Sequence, residues 1–300
     1  MSTDTLLKNV FGGIESPVRK PRYAVLSVPY DMTTSYVAGA RNGPSAIIEA
    51  STHMELYDDE LGCEPWKAGI ETREFLAPTT TGPKEMVERV RIASEKIIRD
   101  GRIPVMLGGE HSISFGLAAA LKKKYKNLSV LQFDAHADMR DAYEDSKSNH
   151  ACVARRISEI CPIVQVGIRS LSEEEAEFLE KDSRKKSPRV KTFYARDIRK
   201  KMPVDEIISG LTDEIFITID LDVFDPAIMA ATGTPEPGGL FWYDVVETLS
   251  AVISKKKVVG FDVVELCPIP GIIAPDFLAA KLVYKIMGYV NRREDRGKGK

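Results

Sequence analysis

The chain has 300 residues, enough for one large α/β domain or two small ones, and its 43% hydrophobic and 29% charged residues exclude a disordered protein. A formal net charge of -2 provides no basic surface for nucleic acid or an anionic membrane, so we expect small-molecule partners. The sequence contains no signal segment and no apolar stretch long enough to span a bilayer, which predicts a cytoplasmic location.

Eight short apolar segments recur along the chain, with helical segments between them. This alternation predicts one domain over residues 1–300, with an ordered core at about 20–290, in which helices cover both faces of a mainly parallel sheet. The predicted strands are Tyr23–Val28, Ile70–Leu76, Ile103–Leu107, Leu128–Phe133, Ile163–Ile168, Val190–Tyr194, Ile215–Ile219 and Val258–Val264.

Helical periodicity separates several of these strands. It is clearest over Pro83–Asp100, where apolar residues recur at steps of three and four and form one stripe that can pack on the sheet. Further helices are predicted at Ser112–Tyr125, Phe241–Ser254 and Phe277–Val290. The last segment, Asn291–Lys300, is highly charged and contains glycine, which predicts a frayed tail.

Three polar motifs follow predicted strands, where open α/β sheets place their ligand sites. Asp134-Ala135-His136-Ala137-Asp138 directs three polar side chains to one side of an extended segment. Asp220-Leu221-Asp222 adds two carboxylates, and Gly108-Gly109-Glu110-His111-Ser112 adds an imidazole. The predicted metal ligands are His111, Asp134, His136, Asp138, Asp220 and Asp222.

These ligands predict a site for two metal ions. Four carboxylates balance the charge of two divalent cations, and the absence of thiolates among the ligands argues against a structural zinc site. Oxygen-rich ligation with some imidazole favours two Mn²⁺ ions per chain, although iron, cobalt or zinc could bind in vitro. His150 follows the Asp-His-Asp motif by a dozen residues, and we expect it to line the pocket as a proton shuttle or substrate contact.

Four sequence blocks resemble those of the ureohydrolases, the arginase and agmatinase family, and most of all the agmatinases. The resemblance implies the three-layer α/β/α arginase fold with an eight-stranded, mainly parallel sheet, two manganese ions, and assembly as a homo-oligomer. The blocks are Gly108–Ser112, Phe133–Asp138, Ile219–Pro226 and Gly260–Glu265, supported by Pro29–Asp31, Gly39–Pro44 and Thr232–Gly239.

The resemblance also implies a reaction, the hydrolysis of a guanidinium group to urea. Because resonance makes the guanidinium carbon a poor electrophile, the reaction needs the strong nucleophile that water becomes between two cations. In this family pattern Glu265 pairs with the guanidinium group of the substrate, Asp138 passes a proton to the departing amine, and His150 relays protons between pocket and solvent.

The loop Met139–Asn149 is predicted to select the substrate. It lacks the Ser-Gly-Asn arrangement that binds the amino-acid end of arginine in arginases, and Glu144 and Asp145 can attract a terminal amine and repel a carboxylate. Agmatine, hydrolysed to putrescine and urea, is therefore the preferred substrate and implies a place in polyamine synthesis. Polar groups in the same loop leave arginine, guanidinobutyrate and formiminoglutamate as alternatives, and Ala151 replaces a glycine common in the family.

Two alternatives come from other functional classes. A regulatory protein that kept the metals but lost catalysis is disfavoured, because the six ligands occur together with His150 and Glu265. A deacetylase of related fold with a single zinc ion is disfavoured by His111 and by the pair Asp220 and Asp222, which indicate two metals.

Overall fold

A computed structural model describes residues 9–298, with side chains described as far as residue 295; the two ends of the predicted domain, residues 1–8 and 299–300, lie outside the described residues. The strands are β1 Tyr23–Val28, β2 Ile70–Thr72, β3 Ile103–Gly108, β4 Leu128–Phe133, β5 Ile163–Ile168, β6 Val190–Tyr194, β7 Glu214–Asp220 and β8 Lys257–Val264. They form one sheet in the order β2-β1-β3-β8-β7-β4-β5-β6, and their pairings are parallel. The predicted eight-stranded sheet is confirmed.

Helices connect the strands. They are α1 Gly43–Ser51, α2 Pro83–Arg99, α3 Ser114–Lys124, α4 Val153–Ile160, α5 Glu173–Ser183, α6 Ala195–Ile198, α7 Val204–Ser209, α8 Trp242–Lys255 and α9 Ala274–Lys298. The four predicted helices correspond to α2, α3, α8 and α9. Within residues 9–298, no helix combines the length and the apolar character needed to cross a lipid bilayer.

Both faces of the sheet are covered, which gives the predicted three layers. Successive residues of a strand point to opposite faces: Val25 belongs to the core formed with α1, α8 and α9, and Ala24 belongs to the core formed with α2, α3 and α4. All six residues of β1 are buried. Burial on both faces explains why the strands are continuous apolar segments in the sequence.

The prediction of a strand over Ile70–Leu76 is wrong in length, because β2 ends at Thr72. Within residues 9–298 this strand lies at the edge of the sheet, where its one neighbouring strand is β1. Beyond it, Arg73 N donates to Val25 O and Leu76 N donates to Ser27 O. Between these two hydrogen bonds the chain advances by three residues, from Arg73 to Leu76, while β1 advances by two, from Val25 to Ser27. This unequal advance interrupts the regular hydrogen-bond pattern of the sheet.

The prediction of a frayed tail over Asn291–Lys300 is also wrong for its described part, since α9 continues to Lys298. Asn291 is buried; its Oδ1 accepts hydrogen bonds from Tyr23 Oη at 2.7 Å and Arg22 Nη1 at 2.8 Å. Contacts with the start of β1, far away in sequence, therefore stabilise a helix end whose composition alone predicts fraying.

The strand order brings the polar motifs together. The central strands β3, β8, β7 and β4 are consecutive neighbours, and at their carboxyl ends lie Gly108, Glu265, Asp220 and Asp134 respectively. Because parallel strands end on the same side of the sheet, these four segments meet at one edge.

Candidate metal centre and active site

His111 and three aspartates form the more deeply buried part of the site. The Nδ1 atom of His111 lies close to one carboxylate oxygen of each, at 3.1 Å from Asp134, 3.3 Å from Asp138 and 3.4 Å from Asp220. Among the described residues this buried nitrogen has no hydrogen-bond partner, whereas Nε2 lies 2.9 Å from Thr218 Oγ1. A proton on Nε2, donated to that hydroxyl, leaves the Nδ1 lone pair facing three carboxylates, as a bound cation requires.

His136 and Asp222 extend the site on the other side of Asp134. His136 Nδ1 lies 2.8 Å from Asp222 Oδ2 and 3.8 Å from Asp134 Oδ1, so these residues form a second group of potential ligands. Asp134 directs Oδ2 toward His111 and Oδ1 toward His136. The structure therefore brings all six predicted ligands together in two adjoining groups that share Asp134.

The charges in this site compensate one another only in part. Burial and the neighbouring carboxylates raise the pKa of Asp134 to about 7 and raise that of Asp220 well above its usual range. Burial acts to lower the pKa of His136, but Asp222 and the other carboxylates outweigh it and raise that pKa to about 11. Burial acts to raise the pKa of Asp222, but the charge of His136 lowers it to about 2. Divalent cations fit this donor set because they would compensate the remaining crowded carboxylates.

Hydrogen bonds from the chain itself orient Asp134. Gln132 Nε2 donates to its Oδ2 at 2.6 Å, and the backbone N–H of His136 donates to its Oδ1, also at 2.6 Å. The segment ends at Asp138, whose φ of 52° lies in the left-handed region that residues other than glycine seldom adopt. Strain of this kind persists where the surrounding structure holds a residue for a function.

Arg169, which sequence analysis missed, fixes the loop that follows β7. Its guanidinium group donates to the main-chain oxygen of Asp222 at 2.6 Å and to that of Glu236 at 2.8 Å, and it reaches the main-chain oxygen of Phe224 at 3.3 Å. Such a planar group can hold several carbonyls at once, which the point charge of a lysine does less well. Arg169 therefore stabilises the position of the backbone at Asp222, one of the predicted metal ligands.

Glu265 lies directly after β8, beside the ligand cluster. Its Oε1 accepts a hydrogen bond from the backbone N–H of His111 at 2.6 Å, and its φ of 66° is again left-handed. Burial, followed by the nearby carboxylate of Glu110, raises the pKa of Glu265. A buried carboxylate in this position gains from a cationic partner, and a planar guanidinium group is one that it can bind through two oxygens.

His150 lines the same cleft as Glu265 and opens a short turn of helix, His150–Cys152. The side chain of Asn149 caps this turn by accepting a hydrogen bond from Ala151 N at 3.0 Å. Burial lowers the pKa of His150, so its imidazole is mainly neutral at neutral pH. The alanine at position 151 is thus compatible with a capped turn that presents His150 to the cleft.

Five of the predicted ligands, His150 and Glu265 line a single cleft. A segment of the loop after β1 and a segment of the loop after β7 complete its wall. The lining residues are Thr34, Ser35, Tyr36, Val37, His111, His136, Asp138, His150, Asp220, Asp222, Gly233, Thr234 and Glu265. A second cavity adjoins it at His136, Asp138 and His150 and continues past Tyr143 and Glu175.

The structure does not bring Glu144 and Asp145 into either cavity. Tyr143 and Ser146 exchange backbone hydrogen bonds of 2.9 Å in both directions, and the two residues between them have φ values of 47° and 61°. Two positive φ values between residues bonded in this way define a tight turn of type I′. Both carboxylates are exposed at its tip, so the prediction that they contact substrate receives no support from their position.

The fold and this cluster of carboxylates and imidazoles are those of a ureohydrolase. The chain belongs to the arginase family, whose family model matches residues 21–288. It is 40% identical over 88% of its length to the N(1)-aminopropylagmatine ureohydrolase of Synechocystis sp., of which 88% is covered. It is 35% identical to the agmatinase of Pyrococcus horikoshii, with coverage of 90% of this chain and 93% of that one.

A solved structure agrees with this assignment. The crystal structure of agmatine ureohydrolase of Thermoplasma volcanium matches with a TM-score of 0.83 and 32% identity, covering 92% of each chain. The predicted arginase-like fold is therefore confirmed. The predicted enzyme class, a hydrolase of carbon–nitrogen bonds in linear amidines, is confirmed as well.

Proposed function

We propose that this chain uses two Mn²⁺ ions to hydrolyse the guanidinium group of agmatine, giving putrescine and urea. The observation that carries the proposal is the pair of ligand groups sharing Asp134, with Glu265 on the same cleft. The agmatinase and the agmatine ureohydrolase among the similar proteins support agmatine as substrate. The cytoplasmic location, homo-oligomeric assembly and place in polyamine synthesis stay predictions.

The six proposed ligands hold the cations in two groups. His111, Asp134, Asp138 and Asp220 would hold one cation, and Asp134, His136 and Asp222 would hold the other. When bound, the two cations make a water molecule acidic enough to act as nucleophile at neutral pH. The water oxygen bonds to the guanidinium carbon, and the bond from that carbon to the substituted nitrogen breaks, which gives urea and an amine.

Three side chains orient the substrate and move protons. Glu265 pairs with the guanidinium group and holds its carbon at a fixed position in the cleft. Asp138 passes a proton to the departing amine. His150 is neutral at neutral pH because burial lowers its pKa, so it can accept a proton and return it to solvent.

N(1)-aminopropylagmatine is the second candidate substrate. Its aminopropyl extension needs room beyond the guanidinium site, and the adjoining cavity past His150, lined by Tyr143 and Glu175, provides a place for it. Relatives named N(1)-aminopropylagmatine ureohydrolase from Synechocystis sp. and from Thermus thermophilus are 40% and 39% identical to this chain.

A urea-release assay tests the proposal. Chain loaded with Mn²⁺ is given agmatine, N(1)-aminopropylagmatine, arginine and guanidinobutyrate, and kcat/KM is measured for each. We expect the two substrates that end in an amine to exceed the two that carry a carboxylate by roughly a hundredfold, because Arg140 in the adjoining cavity already has the carboxylate of Glu175 as its counter-charge at 3.9 Å, and the similar proteins are named for agmatine and N(1)-aminopropylagmatine. Preference for arginine or guanidinobutyrate contradicts the substrate, and no urea from any of the four contradicts the reaction.

Neutralising the exposed turn is expected to change little. In the variant Glu144→Gln/Asp145→Asn, KM for agmatine should stay within about twofold of the wild-type value, because charges at an exposed turn are screened by water and salt. KM for arginine, measured in parallel, serves as the control and should be equally unaffected. A tenfold rise in KM for agmatine alone would restore these two carboxylates to the substrate site.

A further inference from the structure

The hydroxyl of Thr33 lies between a buried carboxylate and His150. Thr33 Oγ1 is 2.6 Å from Glu110 Oε1, 3.3 Å from His150 Nδ1 and 3.1 Å from the backbone nitrogen of His150. Glu110 is completely buried, and Thr33 is 9% exposed. Neither residue has a part in the reaction as set out above, although Glu110 precedes one of the proposed ligands.

The hydrogen-bonding capacity of each group determines the direction of these contacts. Glu110 Oε2 accepts from the backbone N–H of Thr33 at 2.5 Å, and Oε1 is contacted by the hydroxyls of Thr33 and Ser112. All three neighbours have a proton to give, and a carboxylate can accept from all of them. A hydroxyl has one proton and two lone pairs. Because the Thr33 hydroxyl donates its proton to Glu110, it can only accept a hydrogen bond from His150.

Two donors of His150 face those two lone pairs. One is its backbone N–H, and the other position is occupied by Nδ1, which can take part only if it carries the ring proton. We propose that Thr33, ordered by Glu110, is a positioning residue that keeps a ring proton of His150 on Nδ1 and leaves Nε2 as the atom that exchanges protons. This inference rests on the function proposed above.

The surrounding loop holds Thr33 in a fixed place. Asp31 is buried, and its Oδ2 accepts from the backbone N–H groups of Gly39 at 2.9 Å and Arg41 at 3.2 Å. Thr34, the residue after Thr33, donates a hydrogen bond from Oγ1 to the main-chain oxygen of Asp31 at 3.2 Å. The loop that carries Thr33 is thus closed upon itself and anchored to Glu110, so the hydroxyl meets His150 without a rearrangement.

Substitution at Thr33 tests the inference through kcat. Thr33→Val keeps the shape of the side chain but removes the acceptor, and Thr33→Ala removes it without adding bulk. With Mn²⁺ and agmatine, we expect both to lower kcat about tenfold or more with KM within about twofold, the size of effect seen when the residue behind a functional side chain is lost. Thr33→Ser retains the hydroxyl and should restore kcat to within about threefold of the wild-type value.

A double-mutant cycle separates positioning from a general structural effect. If Thr33 acts through His150, Thr33→Val should lower kcat by less than about twofold in a His150→Asn background. An equal loss in both backgrounds overturns the inference, as does a Thr33→Val variant with wild-type kcat. If the wild-type chain releases no urea from any of the four guanidines, the proposed function itself fails and this inference falls with it.

Discussion

Glu265→Gln is expected to lower kcat/KM for agmatine by about 3 kcal/mol or more, roughly a hundredfold, in protein loaded with Mn²⁺. The substitution removes the negative charge that we place against the guanidinium group. A glutamine carbonyl can still accept the hydrogen bond that Glu265 Oε1 takes from the backbone of His111, so the neighbouring ligand should keep its position. Steady-state urea release at several agmatine concentrations measures the effect.

Two further variants make this result specific. Glu265→Asp keeps the negative charge, but its side chain is shorter by one methylene group. We expect the variant to retain part of the binding of the guanidinium group and to lose activity because the substrate is held in the wrong position. Glu247→Gln removes an exposed carboxylate on α8 and should leave kcat/KM unchanged. Elemental analysis must find equal manganese in all variants. A Glu265→Gln protein with full metal content and wild-type kcat/KM would falsify the assigned role of Glu265.

The strands were predictable because burial on both faces leaves a local signal. β1, β4, β5 and β6 begin and end at the predicted residues, since a continuous apolar run needs no knowledge of its partners. The order of strands has no such signal, because it depends on pairings between segments far apart in sequence. The placement of the motifs at strand ends predicted that they form one site, and the adjacency of β3, β8, β7 and β4 explains how they meet.

The residues that sequence analysis missed act through distant partners. Arg169 bonds to the backbone of Asp222, 53 positions away, and Thr33 contacts His150, 117 positions away. An arginine just after a strand was the only local signal for the first, and nothing distinguishes Thr33 from other loop threonines. Glu110 stood inside a recognised motif, yet only the fold shows that its carboxylate turns toward Thr33.

At Glu144 and Asp145 the sequence predicts a charge without predicting the direction in which it points. Two acidic residues between a metal motif and His150 favour a role in binding an amine, and the sequence contains no glycine there to indicate a type I′ turn. The hydrogen bonds between Tyr143 and Ser146 nevertheless impose that turn. Composition predicted the charge of this loop correctly, but backbone geometry decides which way the charges point.

Removal of metal should destabilise the protein more at pH 8 than at pH 6. In the chain without cations, the pKa of Asp134 is raised to about 7 by burial and neighbouring carboxylates, against about 4 in an unfolded chain. Its contribution to stability therefore falls as pH rises from about 4 through about 7. His136, with a pKa raised to about 11, contributes stability that is complete below about 6.5 and is lost as pH rises toward 11.

Asp134 and His136 thus both make the metal-free chain less stable at pH 8 than at pH 6. A cation must also displace the protons of these two side chains in order to bind, so metal binding is weaker at pH 6. Manganese at a hundred times its dissociation constant adds about 2.7 kcal/mol, which for a chain of 300 residues is roughly 4 °C in the unfolding midpoint. We expect such a rise at pH 8 and a clearly smaller one at pH 6, measured by thermal unfolding with EDTA and with Mn²⁺. Asp134→Asn, the control, should show little rise at either pH. If Mn²⁺ raised the unfolding midpoint of the wild-type chain equally at both pH values, metal binding would not depend on the protons of Asp134 and His136.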